Sequence, residues 1–408
     1  MVKAKNNPGV KGRSNALRPA TRQMIWAKAA GRCQYRGCNC DLIGDLIAGK
    51  EDATYGFVAH IVADAPDGPR GDPVLSPLLV DDLSNLMLLC HTHHKTIDVD
   101  EKDRHTVEVL QAMKATHEER IAIVTAIHPE RASHALVFTT TIGPRQTPVT
   151  FAEMSGAMLP SRYPQEPRPI SLEVRGSGSG SRDSDPDFWS VEARNLDRQF
   201  AAKVQARIET RDIQHLTVFA LAPQPLLIEL GRLLGDISDV EVRQLHREPK
   251  GWQWAADEDP IRYRVERPTI PTGTPVLILG ISATIEKERI TGVIRDACIW
   301  AIYAEDAHND IMRRPEDLSA FRRILRRLLN EIKAAHGEDT SIALFPAVPV
   351  SVAVEIGRVW MPKADLPIVV YEQNRQLGGF FPALNVGPAT PKHVGGVGSP
   401  NPSTMVAS

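Results

Sequence analysis

Two short ligand pairs constrain this chain more than any other feature: Cys33-x4-Cys38 near the start and, far downstream, Cys90-x2-His93. Each pair is closed by a short turn, and two such pairs brought together supply the soft or borderline donors of a tetrahedral structural zinc site. A site of that kind ties distant segments into one unit, and in a small unit it contributes on the order of 10 kcal/mol to folding. Cys40 stands close enough in sequence to replace Cys38, and His91 or His94 to replace His93. The fifth cysteine, Cys298, lies alone in an apolar strand-like run and reads as a core residue. Cysteines this few and this unevenly placed do not make a disulfide framework, and in a reducing compartment their clustering with histidines points to metal.

The rest of the 408 residues suggests two or three domains. The formal net charge is -2, which names no partner, but residues 1–40 hold nine Lys and Arg and no acid. That end carries +9 and the remainder -11, so one end favours polyanions. No run of 18 or more apolar residues occurs, and the basic N-terminus lacks a secretory apolar stretch. The expectation is a cytoplasmic protein with no membrane partner.

Along the chain, residues 1–20 read as a flexible basic arm, 20–30 as a helix, 57–62 as a short apolar strand and 65–73 as a turn-rich loop. Residues 101–125 read as a helix with Val107, Leu110, Met113, His117 and Ile121 on one face. From Ala135 the texture changes. Strands are expected over 135–140, 216–221, 240–245, 276–281, 299–304, 341–345 and 367–371, and helices over 189–211, 224–235, 315–336 and 351–360. This alternation predicts parallel α/β layers, occurring twice over roughly 135–255 and 262–375, with ligands at the carboxyl ends of the strands. Gly176–Ser181 reads as a mobile linker and the stretch from about Gly387 as a disordered tail. The expected domains are 1–128 and 132–385, followed by a tail over 386–408.

Zinc leaves His60, Asn85 and His94 unexplained. Phosphodiester hydrolysis needs a base for water and a divalent metal to neutralise charge growing on the phosphate. A neutral imidazole at a strand end suits the first task, one on the following helix can help hold the metal, and Asn85 can hold a loop or orient His60. The segments Ala59-His60-Ile61 and Ser84-Asn85-Leu86-Met87-Leu88-Leu89-Cys90-His91-Thr92-His93-His94-Lys95 resemble the His-Asn-His (HNH) nucleases. That resemblance implies a ββα-metal fold with His60 as general base, Asn85 as positioning residue and His94 as ligand to catalytic Mg2+ or Mn2+. It also implies structural Zn2+ at Cys33, Cys38, Cys90 and His93. Many family members carry an acid where this chain has Ala59, so a second metal ligand is unassigned among Asp45, Asp64, Asp72 and Asp98. Arg70 and Lys95 are the candidate DNA contacts. No helix for reading base edges is evident, so little sequence specificity is expected.

In the larger C-terminal part, Leu230–Gly235 lacks the dinucleotide fingerprint and no Walker-type motif occurs. Trp252 and Trp254 sit beside Arg243, His246, Arg247 and Lys250, a combination that can stack on bases and meet phosphates. Ser282 at one strand end, and Phe345 leading to Ser351 at a helix start, complete the candidate ligand residues. The stretches 214–226, Gly251-Trp252-Gln253-Trp254 and 345–358 resemble the SAVED domain, a fused pair of CARF-like, Rossmann-like α/β units. Taken with the nuclease head, nearly the whole chain resembles the HNH-SAVED effectors of bacterial CBASS anti-phage systems. The resemblance implies an α/β multi-domain endonuclease acting on double-stranded DNA. A cyclic dinucleotide such as a cGAMP isomer would bind the SAVED part and convert a dimer into an active tetramer. Two competing readings are an HNH restriction-type endonuclease with a C-terminal modified-DNA sensor, and a zinc-stapled DNA-binding regulator with no chemistry.

Overall fold

The computed structural model describes residues 17–45, 50–140, 149–174, 187–235, 239–255, 258–374 and 378–387. The basic arm before residue 17, the Gly-Ser run and the tail beyond 387 lie outside the described residues. The chain divides into two compact units, Met1–His128 and Pro129–Ser408. Among the described residues no helix is long and apolar enough to cross a membrane.

The first unit is built on the apolar run Leu86–Cys90, whose Leu86, Met87, Leu88 and Leu89 are all fully buried. This strand pairs antiparallel with Gly56–His60, in register from Gly56 opposite Cys90 to His60 opposite Leu86. A helix over Pro19–Lys28, opened by proline at its first turn, lays Ile25 into the same core. Gln34 completes one edge: its backbone N–H donates to Leu88 O at 2.9 Å, and its Oε1 accepts from Leu88 N at 2.7 Å. Strand Leu86–Cys90 runs directly into the helix His91–Lys95, which continues as a π-turn over Thr96–Asp100. The expected helix over 101–125 begins at Val107 instead, because Thr106 takes extended backbone and caps it through Val109 N.

The second unit holds two sheets. In the first, Ala132–Thr140 pairs in parallel with Tyr163–Pro164 and Ile170–Val174 on one side and Leu216–Leu221 on the other, and Leu216–Leu221 pairs with Val240–Val242. The second runs in the order Tyr263–Glu266, Ala297–Ala304, Thr274–Gly280, Ile342–Ala347, Ile368–Asn374, Gly379–Val386. Its inner four strands are parallel and its outer two antiparallel. The strand expected over 240–245 ends at Val242, where its pairing with Leu216–Leu221 stops, and Gln244 just beyond accepts from Ser351 N. One hydrophobic core spans both sheets. At its centre the helices Gln224–Leu234 and Val350–Val359 touch backbone to backbone. A Cβ on Gly231 would lie 1.9 Å from Val354 O, and one on Gly357 would lie 1.9 Å from Ile228 O. The contact is reciprocal, and both helices carry the pattern Glu-x-Gly-Arg: Glu229 with Arg232 (2.6 Å) and Glu355 with Arg358 (2.7 Å).

Candidate functional site

In the first unit the ligand atoms of Cys33, Cys38, Cys90 and His93 all lie within 4.8 Å of one another. His93 turns Nδ1 inward, 3.1 Å from Cys90 Sγ and 3.8 Å from Cys33 Sγ. The turn carrying Cys38 is made at Gly37, whose φ of +80° is the left-handed region that glycine enters without strain. Of the sequence alternatives, Cys40 is exposed beside Cys38 (Sγ to Sγ 3.4 Å), and His91 faces the Phe57 ring. Burial pushes the Cys33 thiol far above the usual range, so without a cation the sulfur keeps its proton, and a metal held there would have to displace it. A supporting chain holds the ligating ring. Tyr35 stacks on His93 (centroids 4.0 Å apart, 13° between planes), and its hydroxyl lies 3.0 Å from His105 Nε2. His105 Nδ1 is 2.9 Å from Glu101 O. A carbonyl only accepts, so Nδ1 carries the His105 proton and Tyr35 O–H donates to Nε2.

His60 ends its strand with Nε2 2.9 Å from Val80 O. By the same logic Nε2 carries the proton, and Nδ1 is left as an acceptor. Asn85, 3% exposed, ties the segment after His60 in place. Its Oδ1 accepts from Val62 N at 2.7 Å, and its Nδ2 donates to Val62 O at 2.9 Å and Leu79 O at 3.2 Å. His94 stacks against Phe57 (5.3 Å) with Nε2 3.6 Å from Asp98 Oδ2.

Arg70, expected at the DNA, is instead placed inside the unit with its side chain 8% exposed. Its guanidinium donates to Ile61 O (2.7 Å), Ile97 O (2.7 Å), His60 O (3.4 Å) and Asp98 Oδ1 (2.7 Å). It clamps the His60 strand end to the turn after His94, which leaves it no reach toward a phosphate. Lys95 is exposed and pairs only loosely with Asp100 at 3.3 Å.

In the second unit a cavity of about 530 Å³ opens at the carboxyl ends of the parallel strands. Gln224, Gln244, His246, Arg247, Lys250 and Ser282 supply much of its polar lining. Two helix starts flank it, at Gln224 and Val350. His246 is 3% exposed, and neither of its ring nitrogens has a hydrogen-bond partner; the Asp310 carboxylate stands 3.7 Å from Nδ1. Burial, and then Arg313, hold this imidazole below its usual range and therefore neutral. Gln224 Oε1 is likewise buried and unpartnered.

Of the residues expected to bind ligand, Ser282 lines this cavity, whereas the others do not. Phe345 is fully buried, stacked on Tyr371 at 4.5 Å. Trp252 is buried against Phe219, because alternation along the segment turns it to a core rather than to the cavity. Trp254 packs edge-on to His246 and reaches the cavity only through it. Ser351 donates its hydroxyl to Gln244 Oε1 (2.7 Å), which also accepts from Ser351 N (3.1 Å). A carboxamide oxygen thus occupies the position where an anion at this helix end was expected. The cations beside the Trp pair, Arg247 and Lys250, are the side chains that do line the cavity.

Residues 196–386 match the family described as SAVED: SMODS-associated and fused to various effectors sensor domain. No curated protein gives a significant match to the chain. Among solved structures, the chain is similar to the Acinetobacter baumannii Cap4 SAVED/CARF-domain containing receptor with the cyclic trinucleotide 2'3'3'-cAAA. The identity is 11% and the TM-score 0.40, over 68% of this chain and 55% of that one. It is also similar to the Moraxella osloensis Cap4 SAVED/CARF-domain containing receptor at 10% identity and TM-score 0.38, over 72% of this chain and 64% of that one. The chain therefore spans less than two thirds of the length of these solved relatives.

Proposed function

We propose that this chain is a sensor–effector protein of CBASS-type defence. A cyclic oligonucleotide, of the dinucleotide class such as a cGAMP isomer, binds at the cavity of the second unit and licenses the first unit to cut double-stranded DNA. The sensor half of the reading is supported by the SAVED match and by a cavity of about 530 Å³ at parallel strand ends. Lys250 and Arg247 offer charge for phosphates, and Gln224, His246 and Ser282 offer hydrogen bonds for bases or sugars.

The observation that carries the nuclease half is the tautomer of His60. With Nε2–H committed to Val80 O, the Nδ1 lone pair is available to take a proton from water. Asn85 fixes the backbone just beyond that residue, and the bond to Val80 O fixes the ring itself. Three sulfurs and one imidazole nitrogen within 4.8 Å fit Zn2+ as a structural ion. His94 would help hold Mg2+ or Mn2+, which when bound neutralises charge on the phosphate and the leaving oxygen. Lys95, exposed beside that histidine, would meet the DNA backbone. Activation then requires that ligand favour the active assembly over the idle one, which is a coupling free energy and not merely binding. The proposed assembly is a homotetramer formed from dimers.

The test is purified protein with plasmid, Mg2+ or Mn2+, and a panel of cyclic di- and trinucleotides. The expected outcome is cutting only with metal and an activator, abolished in His60→Ala while ligand affinity and zinc content stay at wild-type values. Cutting of modified plasmid without any cyclic nucleotide would replace this reading with the restriction-type one. No cutting under any condition would leave a DNA-binding regulator.

A further inference from the structure

We propose that Asp98 is the carboxylate that joins His94 in holding a divalent cation, in place of the acid absent at Ala59. The inference rests on the nuclease reading for its purpose, but its test does not. Ala59 is 1% exposed and brings no ligand to the strand. Asp72 is committed elsewhere: its Oδ1 accepts from Val74 N (2.7 Å) and Leu75 N (2.8 Å) at the start of a short helix. The side chain of Asp45 lies outside those described, and Asp64 already has a partner.

Asp98 differs from these in how its two oxygens are used. Oδ1 accepts from Arg70 at 2.7 Å. Oδ2 stands 3.6 Å from His94 Nε2, which is too long for a hydrogen bond. Ligand atoms about 2.1 Å from a metal are about 3.0 Å apart at a right angle and about 3.4 Å apart at a tetrahedral angle, so the observed gap is somewhat wider than one shared ion needs and closes with a small turn of either side chain. The pair sits at i and i+4, the spacing that places two ligands on one helical face. Asp98 itself lies in the π-turn over Thr96–Asp100, a distortion frequent at functional sites.

Both partners are pre-set. Phe57 stacks on the flat side of the His94 ring (5.3 Å, 24°), and Arg70, itself anchored on three carbonyls, holds the carboxylate from behind. The side chains are 36% and 26% exposed, which leaves room for the waters that Mg2+ keeps and for an incoming phosphate oxygen. The positive charge of Arg70 opposes a second cation nearby, so binding should be loose and strengthened by DNA.

The experiment is a Mn2+ titration of the zinc-loaded full chain followed by electron paramagnetic resonance, with no activator present. Wild type should bind one Mn2+ at this unit, and Asp98→Asn and His94→Ala should each weaken it at least tenfold, while Asp72→Asn leaves it unchanged. Asp98→Asn keeps an acceptor for Arg70, and zinc content reports whether the unit is intact. A second readout needs no variant: substoichiometric Mn2+ should broaden the His94 imidazole resonances of the wild-type chain. Wild-type affinity in Asp98→Asn, sharp His94 resonances at full occupancy, or no bound Mn2+ in wild type would each overturn the assignment. Failure of the nuclease reading looks different: Mn2+ bound as expected, and plasmid uncut with every activator.

Discussion

The two units solve the problem of holding a chain together by different means. The first has one small core around Ile25, Ile61 and the strand Leu86–Cys90, and beside it a cluster of three cysteines and a histidine. The second buries two parallel-centred sheets and the helices between them in a continuous core, with no comparable cluster among its described residues. Small units bury too little apolar surface to offset chain entropy comfortably, whereas large ones do not need a cross-link. The comparison predicts a ligand-dependent fold for the first unit and a packing-dependent one for the second.

The most forceful way to break the comparison is to remove the metal. Chelation, or Cys90→Ser, should abolish the thermal transition of the first unit and leave that of the second in place, since about 10 kcal/mol is comparable to the whole stability of a domain. Calorimetry with metal analysis checks this, and a surviving first transition in metal-free protein would erase the distinction. Next comes a packing lesion in the other unit. Gly231→Ala puts a methyl 1.9 Å from Val354 O, so the second transition should drop by about 3 kcal/mol or more while zinc content is unaffected. Because Gly357 meets the same contact from the other side, the double variant should lose less than the sum of the two.

A smaller effect follows from acid. His215, 9% exposed and bonded to Ser133 Oγ at 2.7 Å, has its pKa lowered to about 4 by burial and then by Arg162. The unfolded chain takes up this proton near pH 6.5 and the folded one does not. Stability from this group is therefore full above pH 6.5 and lost as pH falls toward 4, by roughly 3 kcal/mol in all. Denaturant titrations of the second unit from pH 7.5 to 4 should show that slope, and His215→Gln should reduce it, leaving the part due to His134, His246 and His336, which burial also holds low. The smallest expected effect sharpens the first unit: Thr106→Ala removes a helix cap and should cost about 1 kcal/mol without releasing zinc.

Much of this was legible in residue order. Leu216–Leu221 and Pro315–His336 fall where period and proline place them, because fully apolar runs and amphipathic stripes depend little on context. Spacing brought the two ligand pairs into view but left Cys40, His91 and His94 as alternatives; the structure gathers Cys33, Cys38, Cys90 and His93. The helix Phe151–Met158 has its signal in plain sequence, a capping box formed by Thr150 and Glu153, although the strand-and-helix alternation does not include it. The role of Arg70 was not legible, because a glycine-flanked arginine in a turn looks the same whether it faces solvent or three carbonyls. The same holds for Trp252 and Phe345, whose facing is decided by which core lies nearer. Asp98 was one acid among four until its distance to His94 separated it.

The Gly231–Gly357 crossing carries a consequence for how the second unit can be handled. Two rods in backbone contact, each starting at the rim of one cavity, cannot tilt independently, so any occupant that spreads the rim moves both as a single lever. Neither repeat could be transplanted alone, because cutting the chain between them would strip the shared seam and leave bare peptide groups where its twin belongs.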